Sequence, residues 1–494
     1  MVSAPDASPF RPERSAWLWW PTGALRYRVH TRLYAVATGL RLTLPDATAP
    51  DWLGVSLLHW LGAAVLFFTG GALGWALCLV AVVLEVLFHS DQLTQSAYFG
   101  LVALSACLCF IGSKAGRAAR LEQDLAAAVR ALTLGVYLLA GFHKLNRDFL
   151  DPSVSCASLG LTVLSEHYGV HAIERLASSS AWPAVFIAVE LSLVVFAVLR
   201  PAHAALFAVL MHIPLTVLFD SGFVFTMASG WVCLMTDAEL RHLGRTLKRS
   251  WRLIIALAVP PAVFSLLIAP HDRWQTDPDW CVKEGVMWAL VTWVALAWLR
   301  RREAVGTAQA MASEVGGTDD PEAARRHAAG DAYRWFGAFR ELQRPEARYA
   351  TGLAAAAWLA LGATPYLGVN MQHAGAMLSN LRVDPGCHNH LLVPESVRIH
   401  DSTVKLTQIT PRTPGVSPPA GATERIYNSE TLPLAARRWC QLSPAGVRLE
   451  GERHGAPFTL EDACAEGALP ESPLPRLRRF QWNLEQRCPQ RCIH

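Results

Sequence analysis

The stretch Ala128-Val129-Arg130-Ala131-Leu132-Thr133-Leu134-Gly135-Val136-Tyr137-Leu138-Leu139-Ala140-Gly141-Phe142-His143-Lys144-Leu145 is a long apolar run closed by a lysine. Inside hydrocarbon a backbone satisfies its own hydrogen bonds only as a helix or a closed barrel, and a helix needs about 20 mostly apolar residues to cross. Runs of the same character recur near 55–70, 73–89, 95–112, 181–199, 203–219, 222–236, 252–269, 284–299 and 350–369. A weaker one near 27–43 holds Arg28, His30, Arg32 and Arg41, and either lies on the membrane interface or is buried among other helices. Composition points the same way. Of 494 residues 52% are hydrophobic and 17% charged, with a mean hydropathy of +0.24, whereas soluble domains carry about a quarter charged residues. The expected fold is an all-α polytopic transmembrane helical bundle of about 9–11 helices with a small β-rich extracytoplasmic C-terminal domain. The net charge of +4 lends no support to a nucleic-acid partner; the expected partner is the lipid bilayer.

Basic residues in the connections orient such a bundle. One basic loop holds Lys114, Arg117 and Arg120, another Arg241, Arg245, Lys248, Arg249 and Arg252, and a third begins at Arg300-Arg301-Arg302. Counting eleven crossings puts all three on one side with Arg11, Arg14 and Arg26, which is then the cytoplasm. The segmentation this implies is a cytoplasmic segment 1–26, a helical core 27–300, a cytoplasmic linker 301–349, a last spanning helix 350–370 and an extracytoplasmic domain 371–494. The linker is rich in Ala, Gly and charge, with a short helix expected near 331–344. In a bacterium the expected location is the inner membrane, as a multi-pass integral protein.

Alternation of Leu392, Val397, Ile399, Val404 and Leu406 predicts strands in 391–408, with Pro/Gly turns near 411–421. Cys78, Cys107, Cys109 and Cys233 fall in membrane runs as packing residues. Cys156, Cys281, Cys387, Cys440, Cys464, Cys488 and Cys492 fall on the outer side, where an oxidising compartment permits disulfides. At least one bond is expected among Cys440, Cys464, Cys488 and Cys492; the spacing does not say which. Cys488-x-x-x-Cys492 before His494 also has the look of a metal site, but it lacks the second, tighter ligand pair of structural zinc, so no metal is assigned.

Ionisable groups inside a bilayer are costly and are functional candidates. Lys144 closes its run over Ala140 and Gly141, with Tyr137 two turns back. An apolar surround disfavours the ammonium form, which would make the amine a usable general base, and the small residues beneath it leave room for a flat ligand. The opposing reading is a lysine snorkelling to the headgroups. His212 precedes Pro214 in mid-run and serves either as a helix–helix hydrogen-bonding group or in chemistry. Glu190 has no basic partner on its own helix and must be protonated or paired with another. Glu85 and His89, four apart, suit a structural pair. There is no internal repeat of the kind a transporter would show.

At these residues the chain resembles a known family. Ala140-Gly141-Phe142-His143-Lys144-Leu145 followed by Asp148-Phe149 resembles the AGxxKLxxDW segment of vitamin K-dependent gamma-glutamyl carboxylase and its bacterial HTTM-domain relatives. His212, Leu218-Phe219 and Gly222, with Phe223 and Phe225, keep the spacing of the family's HxxxxxLFxxG stretch. Ala376-Met377-Leu378-Ser379-Asn380-Leu381-Arg382, then Gly386 and Asn389-His390-Leu391-Leu392, resembles the bacterial SMFSNLRTEGGxxNHLL signature. The resemblance implies a lysine amine, here Lys144, that deprotonates a reduced quinone such as vitamin K hydroquinone. The base so generated abstracts a glutamate γ-proton, and carboxylation forms a carbon–carbon bond. It implies that His212 supports the chemistry or the quinone pocket, and that Tyr137, Gly141, Glu190, Phe219, Gly222, Asn380, Arg382, Asn389 and His390 belong to the substrate or quinone site. The substrate would be a protein or a small carboxylate.

The chain departs from that pattern in three places. Thr94-Gln95 stand where the carboxylase has Asn-His before Ser96 and Gly100, with His89 the nearest imidazole; Phe149 stands for Trp; and the outer region is cut to about 120 residues. A non-enzymatic lipid- or quinone-binding protein of the HTTM family is therefore a second reading. The two diverge in what they need: the enzyme requires a quinol-sized cavity joining Lys144 and His212 near the outer leaflet, and the binding protein needs no such convergence and predicts Lys144 snorkelling outward.

Overall fold

Uninterrupted runs rich in leucine and alanine carry the helices of this chain. The computed structural model describes residues 25–40, 50–88, 96–112, 118–199, 204, 207–212, 221–235, 237–268, 285–286, 288–300, 345–369, 379–401, 403–428, 432–453, 455–469 and 484–492. These are mostly helical, with one small antiparallel sheet near the C-terminus. The helices are α1 Leu25–Leu40, α2 Pro50–Thr69, α3 Ala72–Phe88, α4 Ser96–Gly112, α5 Ala118–His143, α6 Arg147–Leu150, α7 Cys156–Tyr168, α8 His171–Ala177, α9 Ala181–Leu199, α10 Ser221–Leu234, α11 Asp237–Ile268, α12 Trp288–Arg300, α13 Pro345–Ala363 and α14 Leu432–Leu442. Nine of the apolar runs thus lie on helices; the tenth, 203–219, is described only at 204 and 207–212, which are helical.

Among the described residues one helical segment, Leu121–His143, is long and apolar enough to cross a membrane. The pair His171–Ala177 and Ala181–Ala197 meets the same criterion together, bent by 82°. Leu53–Thr69, Ala72–Val86, Ser96–Ile111, Cys156–Glu166, Trp288–Arg300 and Thr351–Ala363 are apolar but shorter. The N-terminal segment before residue 25, the expected linker helix at 331–344, the segment 270–283 with Cys281, and Lys114 and Arg117 lie outside the described residues.

The chain divides into two compact units, each assembled from separated segments. The first holds 1–82, 98–134 and 193–356; the second holds 83–97, 135–192 and 357–494. In the first, α1 packs one face against other helices, with Arg28, Arg32 and Val36 exposed on the opposite face. Tyr34 and His30 are fully buried, His30 stacks on Trp75 at 5.9 Å, and its Nδ1 lies 2.7 Å from the Ser229 carbonyl. The expected basic loop at 241–252 is corrected: those residues form the first half of α11, 32 residues long, because no glycine pair or proline interrupts it before Pro260-Pro261.

In the second unit, β1 Thr403–Pro411, β2 Ile426–Asn428, β3 Val447–Arg453 and β4 Ala456–Leu460 form a sheet ordered β2-β1-β3-β4, every pairing antiparallel. The strands expected from 391 begin only at 403. Residues 391–401 instead bend through a short 3-10 turn, Glu395–Val397, after Pro394, so their alternation marks no ladder. Val404, Leu406, Val447 and Leu449 meet α14 through Trp439 and Leu432, giving this part an apolar core of its own. Three disulfides join Cys156 to Cys492, Cys387 to Cys488 and Cys440 to Cys464. Six of the seven cysteines assigned to the outer side are thereby paired, and Cys78, Cys107, Cys109 and Cys233 are free.

Candidate functional site

The apolar run of α5 ends at His143, and Lys144 stands in the turn that follows. Asn146 makes that turn: its side chain accepts from the Phe149 amide at 2.8 Å, capping α6, and donates to the carbonyls of His143 at 2.7 Å and Ser379 at 2.6 Å. The Lys144 side chain points inward. Its Nζ donates to Glu190 Oε1 at 3.0 Å, lies 2.9 Å from Oε2, and sits 3.4 Å from the Ala140 carbonyl. The two side chains are 4% and 7% exposed. The faces of Phe149 and Phe186 stand 5.9 and 5.7 Å from the ammonium, a distance at which ring quadrupoles stabilise a cation. The cross-helix partner that Glu190 requires is thus Lys144, and Lys144 does not snorkel.

Gly141 has a packing role on this helix. A Cβ there would lie 2.7 Å from Leu191 Cδ2 and 2.8 Å from Cγ, so the missing side chain lets α9 close on α5. The room above the small residues, expected to admit a ligand, is filled at Gly141 by Leu191. Tyr137 is buried one turn earlier on α5.

Two of the sequence segments meet here. Arg147 donates its amide to the Asn389 carbonyl at 3.1 Å, Leu391 donates to the Leu145 carbonyl at 2.9 Å, and Asn146 bridges His390 antiparallel. Asn380, in the left-handed region at φ 52, caps Cys156 through Oδ1 at 2.8 Å and donates to the Val154 carbonyl at 2.9 Å. Asparagine tolerates that conformation better than most residues. Asn389 accepts from the Arg382 amide at 2.9 Å and donates to the Asn380 carbonyl at 2.8 Å. Arg382 forms a fork with Asp384, at 2.7 and 2.9 Å, and reaches the Glu485 carbonyl at 2.8 Å and Gln490 Oε1 at 3.0 Å. His390 accepts the Leu392 and Val393 amides on Nδ1, at 3.2 and 3.0 Å, which leaves Nε2–H to donate to the Phe142 carbonyl at 3.0 Å. Burial holds its pKa below the usual histidine value. Arg382 and His390 have filled hydrogen-bonding capacity, and with Asn380 and Asn389 they act as the frame that docks 379–393 and the 484–492 tail onto the end of α5.

Sequence reasoning passed over His143, Tyr366, Asn146 and Phe186. His143 Nδ1 lies 2.8 Å from the Tyr366 hydroxyl, and Phe142, Tyr366 and His390 pack ring on ring at 4.8 to 5.8 Å. An Asn directly after an apolar run, three residues before a buried aromatic, is a capping signal and was readable. Asp148 is also buried, its Oδ2 without a hydrogen-bond partner, and burial raises its carboxyl above the usual range.

His212 falls in the other unit. There it is buried, its Nδ1 2.8 Å from the Ala208 carbonyl and its ring edge-on to Trp231 at 5.0 Å. Gly222 lies in the first turn of α10; Phe219, His89, Thr94 and Gln95 lie outside the described residues. Glu85 accepts from Ser96 Oγ at 3.5 Å. Cys488 and Cys492 are each consumed in a disulfide, which removes them as thiolate ligands. Among the described residues no group of three or more His, Cys, Asp or Glu side chains converges as a metal site.

No protein-family model, curated protein or solved structure matches this chain.

Proposed function

We propose that the chain is a multi-pass membrane protein whose Lys144–Glu190 pair forms a proton-accepting site for a lipid-soluble acid of the reduced-quinone class, as the carboxylase resemblance implies. The observation that carries this reading is the inward, buried pair itself: Nζ stands 2.9–3.0 Å from the carboxylate, flanked by two aromatic faces. The membrane placement is supported by the outward apolar side chains of α2, α3, α9 and α11, among them Leu57, Phe68, Val80, Val195, Phe196 and Ile255, all exposed. Exposed aliphatic and aromatic side chains in such number, in a sparsely charged chain, support a membrane or interaction face. Disulfides at the end of α5 suit an oxidising outer compartment.

The residues present fit a flat aromatic ligand through their chemistry: one amine and the Phe149 and Phe186 rings. When bound, a reduced quinone would supply an acidic ring hydroxyl and reducing equivalents. The protein's part is proton handling. The ion-paired and neutral-paired forms of Lys144 and Glu190 differ only in which partner holds the shared proton. In the neutral form the amine lone pair takes one proton from a bound acid, and the resulting ammonium faces both Glu190 and the new anion. Glu190 is a positioning residue, holding Nζ away from the headgroups.

A second reading is a non-enzymatic lipid- or quinone-binding protein: Leu191, filling the space over Gly141, closes that side of Lys144 to a substrate, although the inward Lys144 runs against the outward one this reading predicts. Native mass spectrometry of the detergent-purified protein, joined to a quinol-oxidation assay, separates the two. The proposal expects a retained quinone and loss of oxidation in Lys144→Arg, which keeps the cation but offers no lone pair. A retained quinone with unchanged behaviour in Lys144→Arg leaves the binding reading; no quinone in the wild type refutes both.

A further inference from the structure

The α11 helix changes character along a single face. Arg241, Arg245, Lys248 and Arg252 fall within roughly 60° of one another at 100° per residue, and Arg249 flanks them. All five are exposed. The same face continues as Ile255, Val259 and Val263, all exposed and aliphatic, again within roughly 80°. No acidic residue follows Glu239 in the helix, and Asp237 in its first turn is engaged by the Arg26 amide at 3.0 Å. Exposed Trp251 sits at the change, with the Arg252 guanidinium 5.4 Å from its ring. An aromatic at the junction of a basic and an apolar surface suits the headgroup level of a bilayer.

A second helix brings another cation to the same end. Trp293 donates to the Leu243 carbonyl at 3.0 Å and His242 Nε2 lies 2.9 Å from the Ala297 carbonyl, so α12 runs antiparallel beside α11 with Arg300 at the basic end. Arg300 Nη1 is buried and has no hydrogen-bond partner. Six cations therefore share one end of a helix pair, one of them with an unfilled donor.

We propose that this face binds the headgroups of anionic phospholipids in the cytoplasmic leaflet, with Arg241, Arg245, Lys248, Arg249 and Arg252 as hydrogen-bond donors to phosphate, Arg300 adding charge at the same end, and Ile255, Val259 and Val263 against the acyl chains. The basic stretch from 241 to 252 rises about 16 Å, and the apolar stretch from 253 to 268 about 23 Å, lengths that match a headgroup layer and most of the about 30 Å hydrocarbon core. The proposal rests on the membrane reading but not on the Lys144 chemistry. Each surface cation contributes on the order of five-fold to anionic-lipid affinity.

The test titrates the delipidated full chain with phosphatidylglycerol and, separately, phosphatidylcholine, counting bound lipids by native mass spectrometry. The wild type should prefer phosphatidylglycerol at least roughly ten-fold. Arg245→Gln/Lys248→Gln/Arg249→Gln/Arg252→Gln should lose that preference, while Arg437→Gln/Arg438→Gln, exposed on α14, should keep it. Equal binding of the two lipids by the wild type, or an unchanged preference in the quadruple variant, overturns the proposal. Carbonate extraction of wild-type membranes distinguishes the failures: a protein released to the supernatant refutes the membrane reading, and one retained without lipid preference refutes only the headgroup site.

Discussion

Removing one partner of the Lys144–Glu190 pair should cost far more than removing both. With the side chains 4% and 7% exposed, either group left alone is a buried charge without compensation. Such single deletions cost about 3–5 kcal/mol, whereas replacing a whole buried pair by apolar residues of similar volume is near neutral. Lys144→Met should therefore destabilise by about 3–5 kcal/mol, because the Glu190 carboxylate has no other cation within reach among the described contacts. Glu190→Leu should cost less, about 2–4 kcal/mol, because the ammonium keeps the Phe149 and Phe186 faces and the Ala140 carbonyl. The double variant should lie within about 2 kcal/mol of the wild type, giving a coupling of at least about 3 kcal/mol. The assay is a double-mutant cycle read by SDS-induced unfolding in mixed micelles, followed by far-ultraviolet circular dichroism. Additivity of the two single variants within about 0.5 kcal/mol would mean the groups do not interact, and the site would lose its physical basis.

Arg382→Met leaves Asp384 buried without its ion-pair partner and takes a side-chain donor from the tail's Glu485 carbonyl and one of the two donors on Gln490 Oε1, so it should cost about 3–5 kcal/mol and speed proteolysis at 484–492; unchanged proteolysis would remove the clamp role. Asp148 carries a carboxyl raised by burial, so its contribution to stability is complete below the ordinary value of about 3.9 and is lost as pH rises through the folded value. Asp148→Asn should flatten that slope and stabilise the fold near neutral pH, as denaturant titrations at several pH values will report; an undiminished slope would point to another group. Opening Cys440–Cys464 by Cys440→Ala/Cys464→Ala releases a loop of 24 residues and should cost about 3.5 kcal/mol, visible as a lower midpoint of thermal unfolding.

The helices were legible because an apolar run leaves the backbone few alternatives, and nine of the ten expected runs lie on helices at their expected places. Where the reading failed, the governing contact was distant in sequence. Ile399 and Val397 alternate like a strand, yet 391–401 carry no strand ladder among the described residues and Pro394 turns the chain away. The basic stretch 241–252 read as a loop because charge was taken to mark a connection; helix propensity does not fall at arginine or lysine, and nothing before Pro260 breaks the turn.

The site shows the same division between local and distant causes. That Lys144 terminates an apolar helix is a local fact, and so is the isolation of Glu190 on its own; that each is the other's partner across 46 residues is not. The signature residues Asn380, Arg382, Asn389 and His390 were grouped with the site by resemblance, and they do gather at the end of α5. Their side chains are spent on carbonyls, amides and Asp384. Arg382 and His390, with every donor and acceptor engaged inside the frame, have nothing left to offer a ligand. On the proposed reading the candidate site contracts to Lys144, Glu190 and the two phenylalanines, while the 379–393 segment becomes the scaffold that holds Lys144 inward: Asn146 turns the chain immediately after it, and Leu391 locks the Leu145 carbonyl that follows. A lysine free at a helix end would snorkel; one whose next two residues are pinned on the backbone is held beside its carboxylate.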